Sequence, residues 1–404
     1  WVLIGCPQCQ AYSMAGRSRV GGIREDDARV FLYREYLRII AVHHPAVFVM
    51  ENVRGMLSAK VEGKRIFDWI KKDLQKPGRL FPGKNSPNYK IYSFVREPKE
   101  IGPDGQPVYK SDSDFLIKME NYGIPQKRHR VILLGLREDI EKIPISFLNE
   151  QDRVHLKSVI GDMPPLRSKI GRTIATSELV DGKIKRTYHT ISDDKSLWFK
   201  SLEKFKKEIT KWNGLADFKS KSFLELDLDS IGDEFFRTKE ITISNEVPLS
   251  EWIYDPRIMG LINHQSRSHL LEDLKRYLFL SMYASLYKKF PRLNQYKSFS
   301  DSILPDHKSA SSGKFNDRFR VQLPNDPATT ITSHISKDGH YYIHYDPMQC
   351  RSFTVREAAR VQTFPDNYLF VGNRTQQFHQ VGNAVPPYLA RQLAKTVLNL
   401  FEHN

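Results

Sequence analysis

Cysteine is scarce in this chain of 404 residues, occurring only at Cys6, Cys9 and Cys350. So low a count argues against a disulfide framework and indicates a reducing compartment, so we expect a cytoplasmic protein. No apolar run reaches the roughly 18 residues of a membrane-spanning helix, so no membrane partner is expected. The opening Trp-Val-Leu-Ile-Gly lacks the basic segment of a signal peptide, and a first residue other than Met predicts that the gene product begins upstream.

Acidic residues are also in deficit. The chain has 47 Asp and Glu against 62 Lys and Arg, which gives a formal net charge of +15. Such an excess favours a polyanionic partner such as nucleic acid, through counterion release and long-range attraction. A basic protein without such a partner remains the alternative, so the inference of nucleic-acid binding needs the support of a binding site.

The first part of the sequence, residues 1–152, has the pattern of an α/β domain. Apolar residues at 2–4 indicate a buried parallel strand that ends at Gly5. Helical spacing follows over 26–42, and the apolar run 46–50 predicts a second buried strand that leads into Glu51. A third strand is predicted at 131–134. This alternation predicts a doubly wound sheet with ligands beyond the carboxyl ends of its strands.

The rest of the chain departs from this pattern. The turn-rich stretch 77–105 is interpreted as an insertion. Residues 153–344 are predicted to form an inserted domain with helices near 197–212 and 270–290, and with a hairpin turn at 337–339. Residues 345–404 return to the helical pattern, and the last helix is expected to pack back on the first domain.

Cys9 directly follows the first predicted strand, within Gly-Cys-Pro-Gln-Cys-Gln at 5–10. A cysteine at the carboxyl edge of a sheet is well placed to act as a nucleophile, because its thiolate can face a cleft. Cys6 and Cys9 also have the spacing of a redox or zinc pair, but no second Cys/His pair at metal spacing accompanies them, so no metal is expected. A buried structural cysteine is the third interpretation.

Charged residues stand at the other strand ends. Glu51 ends the second strand and should share a crevice with Cys9, although a lone carboxylate there is often merely solvated. Arg128 and Arg130 alternate along an extended segment, so their side chains point the same way and could meet one anionic group. An ordinary basic start of a strand is the alternative.

Together these segments resemble the DNA cytosine-C5 methyltransferase family, and the resemblance extends to the end of the chain. Five segments match family motifs in order: Pro-Gln-Cys-Gln at 7–10, Glu-Asn-Val at 51–53, Gln-Lys-Arg-His-Arg at 126–130, the stretch 353–366 that follows the target-recognition domain, and Gln-Val-Gly-Asn-Ala-Val-Pro-Pro at 380–387. The resemblance implies a Rossmann-like methyltransferase sheet, N-terminally incomplete, with an inserted target-recognition domain at 153–344. Catalytic parts at 1–152 and 345–404 would flank it.

The resemblance also implies a mechanism. Cys9 would add to C6 of a cytosine flipped out of duplex DNA, and C5 would then accept a methyl group from S-adenosylmethionine. Glu51, its pKa raised by burial, would protonate N3, while Arg130, with Arg128 beside it, would lie near O2. Three further residues are expected to contact the nucleotide: Gln10 and Ser13, in a closing loop over 10–19, and Asn52.

In two respects the sequence departs from the family. The glycine-rich segment that cradles S-adenosylmethionine does not precede Trp1, so a missing segment or a separate chain would complete the cofactor site. Three cofactor-binding positions are expected within the chain: Asn383, Ala384 and Val385. Gln8 stands where the family has proline, and Cys6 where it has glycine.

Three functions therefore stay open. The first is a DNA cytosine methyltransferase, in the restriction-modification setting usual for such proteins. The second is a catalytically impaired fragment that acts as a DNA-binding module. The third is methyl transfer to cytosine in RNA, against which the large middle domain argues. Arg267, Arg318 and Arg320 are candidates for contacts with base edges.

Overall fold

The computed structural model describes residues 1–7, 28–81, 83–140, 146–180, 183–237, 249–305 and 318–402. The chain divides into two compact units. Unit 1 comprises Trp1–Tyr122, Lys127–Asp152 and Leu389–Asn404, and unit 2 comprises Gly123–Gln126 and Arg153–Tyr388. The range expected as the last catalytic part, 345–404, is thus shared between the units.

Unit 1 is built on a sheet with helices packed against it. In chain order, its elements are β1 (Val2–Gly5), α1 (Tyr33–His43), β2 (Val47–Val53), β3 (Lys60–Val61), β4 (Lys64–Arg65), α2 (Ile66–Gln75), β5 (Tyr89–Ser93), β6 (Glu100–Ile101), β7 (Pro107–Val108), β8 (Leu116–Lys118), β9 (Gln126–Lys127) and β10 (His129–Arg137). Of these, β9 is divided between the two units. The sheet has the order β1-β2-β10-β5, and β8 pairs with β10 as well.

The direction of β10 differs from the expected parallel sheet. β1 and β2 are parallel, with Gly5 opposite Met50, but β10 runs antiparallel to β2, with Arg130 opposite Val53. Because of this reversal, the first residues of β10 lie at the edge where β1 and β2 end. The apolar run of β10 could not reveal its direction, since burial on both faces gives the same pattern in either orientation.

One further expectation for unit 1 was wrong, and a second was incomplete. The first strand is not buried, because Ile4 is 75% exposed. The interpretation of 77–105 as an insertion missed β5, which pairs with β10 from Tyr89↔Arg137 to Ser93↔Leu133. β5 alternates between buried and half-buried side chains, as a sheet strand does, but turns on both sides obscured its five residues.

Helices α1 and α2 cover one face of this sheet. In α1, Tyr36, Leu37 and Ile40 recur at helical spacing and are buried. The helix ends at His43, and His44 takes the left-handed conformation just before Pro45. In α2, the buried residues are Ile66, Phe67, Ile70 and Leu74, which gives the same stripe.

Unit 2 is larger than unit 1 and contains both helices and strands. Its elements, with the last helix of the chain, are α3 (Leu156–Ile160), β11 (Lys169–Val180), β12 (Lys183–Thr190), α4 (Lys195–Ile209), β13 (Gly232–Arg237), α5 (Ser250–Ile253), β14 (Gly260–Gln265), β15 (Ser268–Leu270), α6 (Leu271–Tyr287), β16 (Ala328–Thr329), α7 (Val355–Val361), α8 (Arg374–Asn383) and α9 (Pro387–Glu402). The helices predicted near 197–212, 270–290 and the C-terminus correspond to α4, α6 and α9. Most of α9 lies in unit 1, where Gln392 Nε2 donates to the Tyr122 carbonyl.

A buried ion pair fixes the start of α7. The guanidinium of Arg351 donates to both carboxylate oxygens of Glu357, at 2.6 and 2.7 Å, and both side chains are 1% exposed. Glu357 also accepts from the backbone N–H of Thr354, whose hydroxyl accepts from Glu357 N in return. This capping box satisfies donors that the first turn would otherwise leave unpaired.

Two predictions for unit 2 were wrong. Residues 330–345 do not form a hairpin around 337–339, since Ser333–Ser336 is a 3-10 turn and Ile343 pairs instead with Val321 and Ser352. Arg267 is unsuited to base contacts, because it is 7% exposed, donates to the Ile335 carbonyl and stacks on Phe378.

No helix in the described part of the chain is long and apolar enough to cross a membrane.

Candidate active site

The ends of three strands of unit 1 bring the predicted catalytic segments together. β1 leads into Pro7 and β2 ends at Val53, while β10 starts from the same edge because it runs the opposite way. The charged side chains of Glu51 and Arg130 therefore reach one another although they are 79 positions apart in the sequence. The sequence predicted that these segments share one edge of the sheet. It also predicted a parallel sheet, in which the start of the third strand would lie at the opposite edge.

Glu51 and Arg130 form an ion pair at this edge. Arg130 Nε lies 2.8 Å from Glu51 Oε1, and the two side chains are 14% and 15% exposed. Arg130 is opposite Val53 in the register, so Glu51 is its diagonal neighbour on the same face, within reach of a long side chain. Arg130 Nη1 also donates to the His129 carbonyl at 2.9 Å. Glu51 is thus half-buried and lies against a cation.

Asn52 connects the end of β2 to the cysteine segment. Its side chain is buried; Oδ1 accepts from Val53 N at 2.9 Å and Nδ2 donates to the Pro7 carbonyl at 3.3 Å. The amide therefore holds the backbone two positions before Cys9. This positioning contact differs from the expected contact with a nucleotide.

The two arginines of the third motif have different surroundings. Arg128 is 3% exposed, whereas Arg130 reaches the surface beside Glu51. Between them, His129 Nε2 lies 2.8 Å from Glu120 Oε1, on a carboxylate that is itself buried. Sequence reasoning missed Glu120, because a lone acid in a short 3-10 helix gave no signal for it.

A second group of motif residues meets inside unit 2. Gln126 Nε2 donates to Gln362 Oε1 at 2.5 Å and to the Val361 carbonyl at 3.1 Å, while its Oε1 accepts from Ile331 N at 3.0 Å. Gln362 Nε2 in turn donates to the carbonyls of Val381 at 2.6 Å and Ala384 at 3.3 Å. Two buried glutamines thereby link the third, fourth and fifth motifs.

The predicted cofactor positions lie at the C-terminal end of α8. Asn383, the last residue of that helix, is exposed, and Ala384 and Val385 are half-buried. Gln362 fixes the turn by holding the Ala384 carbonyl. The preceding Gly382 has no room for a side chain, because a Cβ there would lie 2.3 Å from Ser333 N.

Cysteine placement narrows the choice of nucleophile. Cys350 is buried, donates to the Leu274 carbonyl at 3.2 Å, and has its pKa raised by burial, so it is unsuited to attack a base. Cys6 is exposed. Three predicted site residues lie outside the described residues: Cys9, Gln10 and Ser13.

Comparison with known proteins identifies the family of the chain. The model of the family described as C-5 cytosine-specific DNA methylase matches residues 2–82 and 109–399. The interruption, residues 83–108, falls on the segment that carries β5, β6 and β7. The chain belongs to this family.

Relatives with known names support the assignment. A type II methyltransferase of Bacillus paralicheniformis, M.Bpa9945I, is 31% identical over 400 residues, which are 98% of this chain and 69% of the relative. M.DdeI of Desulfomicrobium norvegicum is 24% identical over 99% of this chain and 73% of its own length. The DNA (cytosine-5-)-methyltransferase M.ApeKI of Aeropyrum pernix is 23% identical, with coverages of 99% and 81%.

A solved structure shows the same fold. The chain aligns with an E. coli prophage protein described as a DNA modification methyltransferase, at a TM-score of 0.51 and 20% identity, over 99% of this chain and 79% of the other. Both are mixed α/β proteins. As a member of the C5 methylase family, the chain belongs to enzymes that depend on S-adenosylmethionine and act on DNA.

Within the described ranges, no group of three or more His, Cys, Asp and Glu side chains is arranged to hold a metal ion.

Proposed function

We propose that this protein methylates C5 of cytosine in duplex DNA through a covalent adduct with Cys9, in a restriction-modification system. The observation that carries the proposal is the Glu51–Arg130 pair, 2.8 Å apart at the edge where the cysteine segment leaves β1. Membership of the C5 methylase family and the type II names of its relatives support the same reaction.

The first step needs a nucleophile and somewhere for the displaced electrons to go. Cys9 Sγ bonds to C6 of the flipped cytosine, and the ring electrons move towards N3 and O2. Glu51 delivers a proton to N3, and the guanidinium of Arg130 faces the negative charge that develops beside it. Asn52 holds the Pro7 carbonyl, which fixes the backbone that carries Cys9.

The second step transfers the methyl group. When bound, S-adenosylmethionine supplies an electrophilic methyl carbon, which C5 of the activated ring attacks. The C5 proton then leaves to a base, the C6–S bond breaks, and Cys9 departs as the thiolate. Atoms and charge balance, because the proton that Glu51 gives to N3 returns as the ring is restored.

The described residues fit one end of S-adenosylmethionine. Exposed Asn383 and half-buried Ala384 and Val385 form the turn that would hold its methionine end. Gly5 offers no cradle, since a Cβ there would lie 2.4 Å from the ring of Tyr36.

The division of labour follows the chain. Residues 1–152 and 345–404 would carry catalysis on a Rossmann-like sheet, and residues 153–344 would form the inserted target-recognition domain. The excess of basic residues suits a DNA duplex.

A methyl-transfer assay tests this function. Labelled S-adenosylmethionine is incubated with the protein and unmethylated duplex DNA, and 5-methylcytosine is mapped by base-resolution sequencing. We expect label in cytosine within a fixed sequence context, and none with Cys9→Ser. Salt-dependent duplex binding without any transfer, unaffected by S-adenosylmethionine, would instead identify a non-catalytic DNA-binding module; preferential labelling of RNA of equal length would identify an RNA methyltransferase.

A further inference from the structure

Strands β11 and β12 form a long two-stranded ribbon in unit 2. They pair from Arg172↔Thr190 to Val180↔Lys183, and we call this paired part the ribbon. β11 also pairs with β15, but only from Lys169 to Arg172. Eight residues from Thr173 to Val180 therefore continue past β15, over about 23 Å at the usual rise of a strand.

The base of the ribbon is anchored firmly. Ile170 is 1% exposed in the core of unit 2. Glu272 of α6 accepts from the Thr173 hydroxyl at 2.8 Å and from Ile174 N at 3.3 Å. Side chains further along are solvent-exposed on both strands, among them Thr176, Thr187 and Tyr188. One end of the ribbon is thus held by contacts within unit 2, and the side chains towards the other end are exposed to solvent.

The register places polar groups on one face of the ribbon. An irregularity between Ile174 and Thr176 shifts the pairing by one residue. As a result, one face carries these exposed side chains: Thr176, Glu178, Lys185, Thr187 and His189. The hydroxyls of Thr176 and Thr187 lie 2.7 Å apart. Hydroxyl, ammonium and carboxylate groups are those that proteins use to contact base edges.

The charge of the ribbon is also suited to DNA. Arg172, Lys185 and Arg186 are cationic, and Glu178 is the acidic residue among its described side chains. A two-stranded ribbon fits the major groove, which is about 12 Å wide.

We propose that the ribbon enters the major groove of duplex DNA and that its face with Thr176, Lys185 and Thr187 determines which sequence is recognised. The proposal rests on the proposed action on DNA, and it adds the element that reads the bases. Arg172 and Arg186, on the opposite face of the same ribbon, would contact phosphates.

Selection from a library of randomised duplexes tests this assignment without requiring methyl transfer. Duplexes retained by the wild-type protein, by Lys185→Gln and by Thr187→Val are sequenced and compared. We expect each substitution to lower discrimination at one or two positions of the selected sequence, by between about 5-fold and 100-fold. Valine keeps the β-branched shape of threonine, and both sites are exposed, so folding should be retained.

The matched control is Lys204→Gln, which removes one exposed lysine from α4 in the same unit. It should weaken binding evenly across sequences and leave the selected sequence unchanged. An unchanged preference in both ribbon variants, or a wild-type protein that selects no sequence, would overturn the proposal. Methylation in the same library is scored separately, so a binding preference without methylation would count against the proposed catalysis and not against the ribbon.

Discussion

At the scale of single residues, the pairing of Glu51 with Arg130 is the feature on which the proposed chemistry depends. Glu51→Gln keeps the shape of the side chain and removes its proton. We expect the methylation rate to fall by about 10²-fold to 10⁴-fold, the range for loss of a general acid. Rates are measured with saturating duplex and S-adenosylmethionine.

The control for this substitution is Glu35→Gln. Glu35 pairs with Arg38 at 3.1 Å on the surface of α1, with side-chain exposures of 68% and 56%. That variant should methylate at the wild-type rate, since exposed pairs contribute little. Equal rates for the two variants would refute a catalytic role for Glu51.

Asn52 gives a second prediction at this scale. Asn52→Asp keeps the acceptor for Val53 N but replaces the donor to the Pro7 carbonyl with an oxygen. We expect a lower rate of the chemical step with DNA affinity nearly unchanged, because the contact positions the cysteine segment. Single-turnover kinetics and duplex binding separate the two quantities; loss of affinity alone would instead support a direct contact with the nucleotide.

At the scale of elements, α7 depends on the buried pair of Glu357 with Arg351. Glu357→Gln leaves that guanidinium buried beside a neutral amide, and we expect the free energy of unfolding to fall by about 3–5 kcal/mol. Denaturant titration measures it. Glu100→Gln, at a surface pair with Lys99, should change it by less than about 0.5 kcal/mol. Similar values for both variants would contradict the assigned role.

Histidines beside this element should make stability depend on pH. Burial lowers the pKa of His264 and of His344 to about 4. Between about pH 4 and the unfolded value of roughly 6.5, the unfolded chain binds more protons at these sites, so stability rises with pH in that window. Arg351 holds the pKa of buried Glu357 well below its usual range, despite burial, so further stability is lost as pH falls through the acidic range.

The test compares His264→Asn with His189→Asn across this window. His264 is fully buried, with ring nitrogens near Thr354 Oγ1 and the Pro164 carbonyl, whereas His189 is exposed. We expect a shallower rise of unfolding free energy from pH 4.5 to 6.5 in the first variant and an unchanged rise in the second. If the curves of unfolding free energy against pH run parallel for the wild-type protein and both variants, the assignment to His264 is refuted.

Elements also show what the sequence could and could not reveal. Helices α1, α2 and α9 follow from apolar spacing, and α7 begins at a Thr-x-x-Glu capping box, both of which are local signals. The direction of β10 and the pairing of β5 depend on distant partners, so no local pattern reports them. The motifs identified Glu51 and Arg130, but the linking roles of Asn52 and Gln362 required coordinates, because a buried amide resembles a surface one in sequence.

At the scale of the whole molecule, the net charge of +15 predicts a strong effect of salt. Duplex affinity should fall linearly with salt on logarithmic axes, by about 10³-fold to 10⁵-fold between 50 and 200 mM if 6–10 phosphates are contacted. Binding titrations with a duplex of arbitrary sequence measure the slope. An affinity independent of salt would rule out a phosphate-dominated interface.

The central claim is that Cys9 attacks the target base, and trapping tests it most directly. A duplex that carries 5-fluorocytosine in the methylated sequence cannot release the enzyme, because fluorine replaces the proton that must leave C5. With S-adenosylmethionine present, we predict a denaturation-resistant adduct with the wild-type protein and with Cys6→Ser, mapped to Cys9, and none with Cys9→Ser. An adduct that persists in Cys9→Ser, or no adduct from wild type with a duplex that it binds and methylates, would contradict the account.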